Sequence, residues 1–522
     1  MDNNLYQKIS AWFDTHQAEM VQDIMRLIRI PSISAPSSPV RPFGQACRDC
    51  MDEMLTIGRE HGFQTENCDY YVGCIGTETK NWDNMIGFWN HLDVVPVGND
   101  WDYSPFVPVQ KGPFLLGRGS QDNKGPAVGI LYMMQCIREL HLPMKHELRL
   151  FVGCDEERGM EDMSWYTAHY PTPALSMIAD AGFPVCFGEK GILEGSFVSD
   201  QPFSSQILEF SGGNASNMIP DRATALLALT PALKNTLMSF SAKSEEKASF
   251  ISAKSKGKAF FSAESEATPL PHNTDAVRIP HPDIEISAEA KGIRVTAHGI
   301  GKHSAFPEGS KNAIYTLCSF LKNITALEEA DRKVLENLAW FSEEFYGRHT
   351  GILYEDDLSG KTTCAATVLE MKNQHPILHF NIRYSISSDS SRMIGQLAQA
   401  ALSRNMTWTP ERDSAPNYFP KEHPAVDLLT NLYCELTGTN RESYVMGGGT
   451  YARKLPNAFA YGIGGMAEST EDQQARAKIF RPGHCGSHEP DEGLNVHLLT
   501  EAMKIYTMSV IALNDCPLRL PE

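Results

Sequence analysis

The sequence predicts an α/β protein that carries an inserted α+β domain. From about residue 84, short apolar segments alternate with amphipathic helical segments, which is typical of an open α/β sheet. From about residue 196, strands of alternating polarity follow one another with few helices between them, and the helix and strand alternation returns after about residue 387. We therefore predict one domain formed by residues 1–195 and 387–522, interrupted by a second domain formed by residues 196–386.

The N-terminal segment is predicted to be helical. Apolar residues recur at helical intervals from Leu5 to Phe13 and again from Met20 to Ile28, and Pro31 ends the pattern. We expect two packed helices over this stretch.

Three apolar segments of the outer domain are predicted to be buried strands: Met85–Trp89, Glu147–Val152 and Leu175–Ala179. A helix over Pro126–Leu140 lies between the first two, because its apolar residues share one face and a proline stands near its first position. In the inserted domain the clearest strand is Ile377–Tyr384, whose side chains alternate in polarity. Residues 239–267 are rich in Ser, Lys, Ala and Glu and are expected to form an exposed helix or hairpin edge without chemistry.

Composition excludes several classes of function. The 46 Lys and Arg against 64 Asp and Glu give a formal net charge of −18, which disfavours nucleic-acid binding through a positive field. The N-terminal residues lack the basic and apolar regions of a signal peptide, and no run reaches the roughly 18 apolar residues that span a bilayer. The twelve cysteines contain one C-x-x-C, Cys47 and Cys50, without the second pair of a structural zinc site. We expect a cytoplasmic protein with reduced thiols and with no nucleic-acid or membrane partner.

Acidic and imidazole side chains follow each of the three predicted strands. They are His91 and Asp93 after the first, Asp155, Glu156 and Glu157 after the second, Asp180 after the third, and Asp122 in the turn before the helix. Because the carboxyl ends of strands in an open α/β sheet converge on one crevice, these side chains are expected to meet there. One imidazole with several carboxylates and no thiolate suits Zn²⁺, Mn²⁺ or Co²⁺.

A plainer interpretation of these acids is that they cap helices or lie in solvated loops, as most loop carboxylates do. The adjacent Glu156 and Glu157 argue against it, since they come directly after an apolar strand. Burying two like charges is costly unless a cation compensates them. The sequence therefore favours a metal site.

Several motifs together resemble peptidase family M20, the cocatalytic dizinc exopeptidases and amidases, and within it the PepV-like dipeptidases. The resemblance covers most of the chain and implies a zinc-exopeptidase-type catalytic domain with an inserted lid. The segments that carry it are His91–Pro96, Gly117–Gly125, Asp155–Glu157, Asp180–Pro184, Gly188–Gly191, Gly447–Arg453 and His488–Glu492.

The resemblance implies a pair of divalent metal ions bridged by Asp122. It assigns His91 and Asp180 to one ion, and Glu157 and His488 to the other. Zn²⁺ is the metal that the resemblance favours, with Mn²⁺ and Co²⁺ as alternatives.

The same resemblance assigns the catalytic roles. Glu156 is expected to be the general base for a hydroxide shared by the two ions, and Asp93 to orient His91 through its other ring nitrogen. A lid histidine is expected to bind the oxyanion, and His303 fits better than His298, which lies on the preceding strand.

Two histidines compete for the last metal position. His484 and His488 stand four residues apart, and the family spacing H-x-x-D-E favours His488. His484 is then a loop histidine or a substrate contact.

Substrate contacts are also implied. Arg383 resembles the arginine that grips a substrate carboxylate, with a plain surface arginine as the alternative. Asn217 resembles the lid asparagine that binds the scissile carbonyl. The run through Gly448, Gly449 and Thr450 lacks the Gly-Lys-Ser/Thr ending of a phosphate loop, but its backbone N–H groups could receive a carboxylate.

These features predict hydrolysis of short peptides, most simply dipeptides with a free C-terminal carboxylate. An N-acyl amino acid amidase or deacylase of the same family is the close alternative, and a catalytically inactive binding module is the alternative from another class. The inserted domain is long enough for a doubled, pseudo-dimeric lid, so a monomer is expected, with a homodimer as the alternative.

Overall fold

The computed structural model describes residues 3–36, 42–233, 235–236 and 282–519, so the segment 239–267 lies outside the described residues. The chain divides into two compact units. The first unit comprises Met1–Lys190 and Pro416–Glu522, and the second unit comprises Gly191–Ala415. Each unit has its own hydrophobic core.

The helices and strands alternate along the first unit, whereas strands predominate in the second. The helices are α1 (Asn3–Ile28), α2 (Gln45–Glu60), α3 (Gly125–Glu139), α4 (Glu161–His169), α5 (Ala313–Leu321), α6 (Glu329–Ser342), α7 (Ser390–Leu402), α8 (Pro424–Thr437), α9 (Thr470–Ile479) and α10 (Val496–Ala512). The strands are β1 (Gln64–Cys68), β2 (Val72–Gly76), β3 (Met85–His91), β4 (Val109–Lys111), β5 (Phe114–Leu116), β6 (Glu147–Gly153), β7 (Leu175–Ile178), β8 (Val185–Glu189), β9 (Gly191–Ser199), β10 (Ile207–Gly212), β11 (Met218–Ile219), β12 (Arg222–Ala228), β13 (Ile284–Glu289), β14 (Gly292–His298), β15 (Lys302–His303), β16 (Glu355–Asp356), β17 (Gly360–Lys361), β18 (Thr363–Lys372), β19 (His375–Tyr384), β20 (Met406–Ser414), β21 (Asn417–Tyr418), β22 (Tyr444–Met446), β23 (Ala458–Tyr461) and β24 (Gly493–Asn495).

The first unit is built on a nine-stranded mixed sheet in the order β1-β2-β6-β3-β7-β23-β8-β21, with β22 beside β8. Its central strands β6, β3, β7 and β23 run parallel, and their residues are almost entirely buried, as expected when helices cover both faces. The three strands predicted here are confirmed, with ends within two residues of the prediction. The α/β class of this part of the chain is therefore confirmed.

Helix α3 is buried on every side rather than on the one face that its pattern predicted. All residues from Gly125 to Ile137 are buried, because α3 contacts strands β3 and β6 of the sheet as well as helices α1 and α10. The predicted helix is confirmed, with both ends displaced by one residue.

The prediction of two N-terminal helices is wrong, because α1 is one continuous helix of 26 residues. No glycine or proline stands between Phe13 and Met20, so nothing interrupts the backbone hydrogen bonds where the apolar pattern weakens. The buried residues still follow one face, including Ile9, Phe13 and Ile24.

One stretch, Val496–Asp515, is long and apolar enough to cross a membrane by length and composition alone. However, 72% of its apolar window is buried inside the protein, and many of its apolar residues belong to the core of the first unit. Packing against protein therefore accounts for its apolar composition.

The second unit is built on an eight-stranded antiparallel sheet in the order β13-β14-β12-β10-β18-β19-β9-β20. The predicted strand Ile377–Tyr384 is confirmed as the larger part of β19. Four of its side chains lie in the core of this unit: Leu378, Phe380, Ile382 and Tyr384. The α+β class of the inserted domain agrees with this sheet and helices α5 to α7.

The domain boundaries differ from the prediction of 196–386, since the second unit extends from Gly191 to Ala415. The reason is strand pairing: β9 pairs with β19 on one side and with β20 on the other, so all three belong to one sheet. Helix α7 and strand β20, which the sequence assigned to the outer domain, therefore belong to the inserted one. The doubled lid stays a prediction.

Candidate active site

The candidate site lies at the carboxyl ends of three adjacent strands in the first unit. Strand β3 pairs in parallel with β6 and with β7, and the register places His91 opposite Gly153. The acidic residues that follow β6 and β7 therefore emerge at the same edge as His91. This arrangement is the one that the sequence predicted from three separate segments.

The first group of ligand-type atoms comprises His91, Asp122 and Asp180. His91 Nε2 lies 2.9 Å from Asp122 Oδ1 and 3.6 Å from Asp180 Oδ2. The other ring nitrogen, Nδ1, donates to the backbone carbonyl of Asp93 at 3.0 Å, so Nε2 is the ring nitrogen that faces the carboxylates.

The second group comprises Asp122, Glu157 and His488. His488 Nε2 lies 3.2 Å from Asp122 Oδ2 and 3.0 Å from Glu157 Oε1. Asp122 therefore contributes one carboxylate oxygen to each group, which is how a carboxylate bridges two metal ions.

The geometry of both groups fits a divalent cation. Ligand atoms held at about 2.0–2.1 Å in a tetrahedral site are separated from one another by about 3.3 Å. The separations observed, 2.9 to 3.6 Å, lie around that value. Imidazole nitrogen and carboxylate oxygen are also donors that Zn²⁺ accepts in catalytic sites.

The pKa shifts of the cluster also favour a bound divalent cation. Burial and the negative charge of Asp122 raise the pKa of Asp180 to about 7. Burial raises the pKa of Glu156 well above its ordinary value. Burial alone would lower the pKa of His91, but the adjacent carboxylates raise it well above normal. Hydrogen bonds to neighbouring carboxylates raise the pKa of His488 to about 10. The raised pKa values mean that the cluster favours bound protons, which offset the repulsion between its buried carboxylates. A divalent cation would offset the same repulsion and would displace those protons.

Asp93 contacts the loop after β6 as well as His91, whereas the sequence predicted only the contact with His91. Its carboxylate is fully buried and lies 3.4 Å from His91 Nδ1. Its two oxygens also accept the backbone N–H groups of Glu156 at 3.2 Å and Glu157 at 3.1 Å. Asp93 therefore fixes the loop after β6 as well as the His91 ring.

Two asparagines next to predicted ligands were missed. Asn123 Nδ2 donates to Asp180 Oδ1 at 3.0 Å, which leaves Asp180 Oδ2 directed at His91. Asn90 Nδ2 donates to Asn123 Oδ1, and both asparagines are about 1% exposed. The available signal was a polar residue immediately adjacent to a ligand in an otherwise apolar segment.

The structure separates the two C-terminal histidines. His484 Nδ1 lies 2.7 Å from Asp491 Oδ2, in a distinct group with Asp102 that does not include Asp122 or Glu157. His488 is the histidine placed beside the predicted ligands, in agreement with the family spacing.

Three residues expected to contact the substrate lie in the second unit. Strand β11 pairs with β15 at His303, and the backbone N–H of Ser304 donates to the Asn217 carbonyl at 2.8 Å. Arg383 Nε and the Ser304 hydroxyl both donate to Asn381 Oδ1, at 2.7 and 2.8 Å. Ser304, which follows His303, and Asn381 therefore connect Asn217 to Arg383 through hydrogen bonds. Arg383 is only 6% exposed, so the alternative of a plain surface arginine is wrong.

Thr450, at the end of the glycine run, donates its hydrogen bonds to a side chain of the protein, whereas the prediction reserved its N–H group for a substrate carboxylate. The backbone N–H and the hydroxyl of Thr450 both donate to Glu189 Oε1, at 3.0 and 2.6 Å. Arg453 holds the other oxygen of that buried carboxylate at 3.1 Å. The expectation that the Thr450 N–H receives a substrate carboxylate is therefore wrong, and the expectation remains for Gly448 and Gly449.

A cleft of about 300 Å³ lies beside the cluster within the first unit. Its lining includes Asp122, Asn123, Asp180, Gly182 and Gly464. A small polar ligand placed there would contact the carboxylates of the first group.

The fold and the two ligand groups are those expected of a metallohydrolase, with a candidate metal centre at the carboxyl edge of a mixed sheet. Residues 87–511 match the family described as Peptidase family M20/M25/M40. Because the match covers most of the chain, this protein belongs to that family and is a metallopeptidase. The family and fold class predicted from the sequence are confirmed.

Individual relatives are similar over nearly the whole chain. The Beta-Ala-Xaa dipeptidase of Lactobacillus delbrueckii subsp. lactis is 29% identical over 472 residues, which cover 88% of this chain and 91% of the relative. The structure of the dipeptidase Dug1p from Saccharomyces cerevisiae matches with a TM-score of 0.55 and 11% identity, covering 98% of this chain and 99% of that one. Human carnosine dipeptidase 1 matches with a TM-score of 0.52 and 12% identity over the same shares. At these identities the two structures support the fold alone.

Proposed function

We propose that this metallopeptidase hydrolyses dipeptides with a free C-terminal carboxylate. The observation that carries the proposal is the pair of ligand groups that share Asp122, with Glu156 next to one of the proposed ligands. The similarity to a Beta-Ala-Xaa dipeptidase over nine-tenths of that relative supports a dipeptide substrate.

Five residues would hold the metal ions in this proposal. His91 and Asp180 would bind one ion, Glu157 and His488 would bind the other, and Asp122 would bind both. Two divalent ions held there supply polarisation of the scissile carbonyl and a water of lowered pKa. We infer Zn²⁺ as the native metal from the resemblance to the dizinc peptidases of this family, because the imidazole and carboxylate donors suit Zn²⁺, Mn²⁺ and Co²⁺ alike. Mn²⁺ and Co²⁺ are the alternative outcomes of elemental analysis.

Glu156 is the proposed general base. Its backbone N–H is fixed by Asp93, and its carboxylate interacts electrostatically with His91 and Asp180. From that position its carboxylate oxygen takes a proton from the attacking water and delivers it to the nitrogen of the leaving amine. Asp93 is a positioning residue for both Glu156 and His91.

The second unit is proposed to bind the substrate. Arg383 would hold the C-terminal carboxylate, since a planar guanidinium binds a carboxylate with two parallel hydrogen bonds. Asn217 and His303 would bind the scissile carbonyl, where negative charge develops during attack. In the first unit, the N–H groups of Gly448 and Gly449 would contribute to carboxylate binding.

A substrate panel tests the proposed function. We expect unblocked dipeptides to be hydrolysed with a kcat/KM at least about tenfold higher than N-acetyl or N-succinyl amino acids, a difference of about 1.4 kcal/mol in transition-state binding. The panel should include β-alanyl dipeptides and be measured with the metal-loaded chain.

The other outcomes of this panel are decisive. Faster turnover of the acylated amino acids would identify the amidase or deacylase instead. No turnover of any compound by a chain that holds two ions would favour the inactive binding module. The monomeric state and the cytoplasmic location remain predictions that sedimentation and cell fractionation can address.

The choice of histidine gives a second test. We expect the His488→Ala variant to retain one of two bound ions and to lose more than about 100-fold in kcat/KM, because removing a ligand costs more than removing its hydrogen-bond partner. The measurement is elemental analysis after dialysis, together with steady-state kinetics.

His484→Ala is the matched control. It removes an imidazole of the same segment that is 4% exposed and paired with Asp491. We expect a lower melting temperature with both ions retained. Loss of an ion from this variant, with two ions left in His488→Ala, would reverse the assignment.

A further inference from the structure

Glu492 occupies an unusual position next to the loop that carries Asp122. Strand β24 pairs antiparallel with β5, and the register places Gly493 opposite Leu116. Glu492 therefore lies alongside Gly117, at the start of the loop that ends in Asp122. The backbone carbonyl of Glu492 accepts the N–H of Gly117 at 2.9 Å.

The Glu492 side chain is 1% exposed and its carboxylate accepts four hydrogen bonds from this loop. Oε2 accepts Arg118 Nη1 and the backbone N–H of Gly119, both at 2.9 Å. Oε1 accepts the backbone N–H groups of Gln121 at 2.8 Å and Asp122 at 3.0 Å. One guanidinium and three backbone N–H groups therefore converge on a single buried carboxylate.

The backbone that carries these N–H groups departs from regular helical geometry. Gly119 has φ +82°, and Asp122 departs from helical geometry with φ −131° and ψ 93°, just before α3 begins at Gly125. The N–H groups of Gly119, Gln121 and Asp122 precede α3, so the hydrogen bonds of that helix do not satisfy them. Several of them converge here on one acceptor, which concentrates positive potential at that point. The Glu492 carboxylate is the shared acceptor of these donors, and it thereby fixes the conformation of the loop.

The same short segment contains a proposed metal ligand. His488 precedes Glu492 by four residues and approaches Asp122 Oδ2 at 3.2 Å. Glu492 fixes the backbone of Asp122, and His488 meets its side chain. The distance between the two ligands is therefore determined by one segment of chain.

We propose that Glu492 is a positioning residue that holds the backbone of the Asp122 loop in the conformation that lets Asp122 serve both metal groups. It binds no metal itself, and its contribution is to metal affinity. This inference rests on the proposed two-metal function.

The Glu492→Gln variant tests the inference. Its amide nitrogen would face two donors, either those of Arg118 and Gly119 or those of Gln121 and Asp122, so two hydrogen bonds are lost and two donors oppose each other. Metal-free wild-type and variant chains are titrated with Co²⁺, and the visible absorption of bound Co²⁺ is followed. We expect the apparent Kd to rise by about 10- to 100-fold, as for other residues that orient metal ligands.

Asp23→Asn is the matched control. Asp23 is another buried carboxylate of the first unit, 6% exposed, and it is held by Arg26, His61 and Tyr132 away from the ligand groups. We expect this variant to melt at a lower temperature and to bind Co²⁺ with the wild-type Kd and spectrum. If Glu492→Gln does not fold, Glu492→Asp keeps the charge but shortens the side chain, and the same loss of affinity is expected.

Each outcome separates the two proposals. Wild-type Co²⁺ affinity in a folded Glu492 variant would overturn the positioning role while leaving the two-metal function in place. An equal loss of affinity in Asp23→Asn would show general destabilisation and would also overturn it. A wild-type chain that binds fewer than two Co²⁺ ions would instead contradict the proposed function.

Discussion

Replacing Glu156 by glutamine is expected to lower kcat for dipeptide hydrolysis by about 10²- to 10⁴-fold, the usual contribution of a positioned acid or base. Glutamine keeps the size of the side chain and its backbone N–H to Asp93, but it cannot accept and release a proton. KM and the content of bound metal are expected to remain close to those of the wild-type chain. Steady-state kinetics and elemental analysis of the same preparation measure both effects.

Glu161→Gln is the control for this variant. Glu161 carries the same side chain five residues further on, at the start of α4, and it is exposed. We expect its kcat to stay within about twofold of wild type, because exposed substitutions away from a site have small effects. A kcat of Glu156→Gln that falls by less than about tenfold would remove Glu156 as the base, since that is below the contribution expected of one.

Replacing Asp122 by alanine is expected to remove both metal ions, whereas Asp180→Ala should remove one. The reason is geometric: Asp122 Oδ1 lies in the first ligand group and Oδ2 lies in the second, but Asp180 belongs to the first group alone. We expect Asp122→Ala to lose more than about 100-fold in kcat/KM, beyond the loss caused by removing an outer hydrogen-bond partner of a ligand. Metal content per chain, measured after dialysis against metal-free buffer, distinguishes the two variants.

Asp102→Ala provides the comparison. Asp102 belongs to the separate group with His484 and Asp491, and it is bonded to Arg481 at 2.7 Å. We expect this variant to retain two ions and activity. If Asp122→Ala and Asp180→Ala lose the same number of ions, Asp122 does not bridge two sites.

The sequence predicted the parts of the fold that depend on local pattern. The strands that became β3, β6 and β7 were recognisable because each is a short apolar run that ends in polar residues. Helix α1 was misjudged because a weakened apolar pattern was taken as an interruption, although nothing in its backbone breaks the helix. The domain boundary was misplaced because the pairing of β9 with β20 joins residues more than two hundred positions apart.

For the candidate site, the sequence alone determined the residue types and the chemistry they favour: imidazole and carboxylate donors after buried strands, which suit a divalent cation. Only the tertiary structure decided which oxygen of Asp122 faces which group, that His488 rather than His484 lies beside Glu157, and that Glu189 takes the donors of Thr450. The tertiary structure also showed that Glu492 accepts the backbone N–H of Asp122. The physical reason is that a donor set follows from side-chain chemistry, whereas distances between remote side chains follow from strand register and loop conformation, which local sequence does not specify.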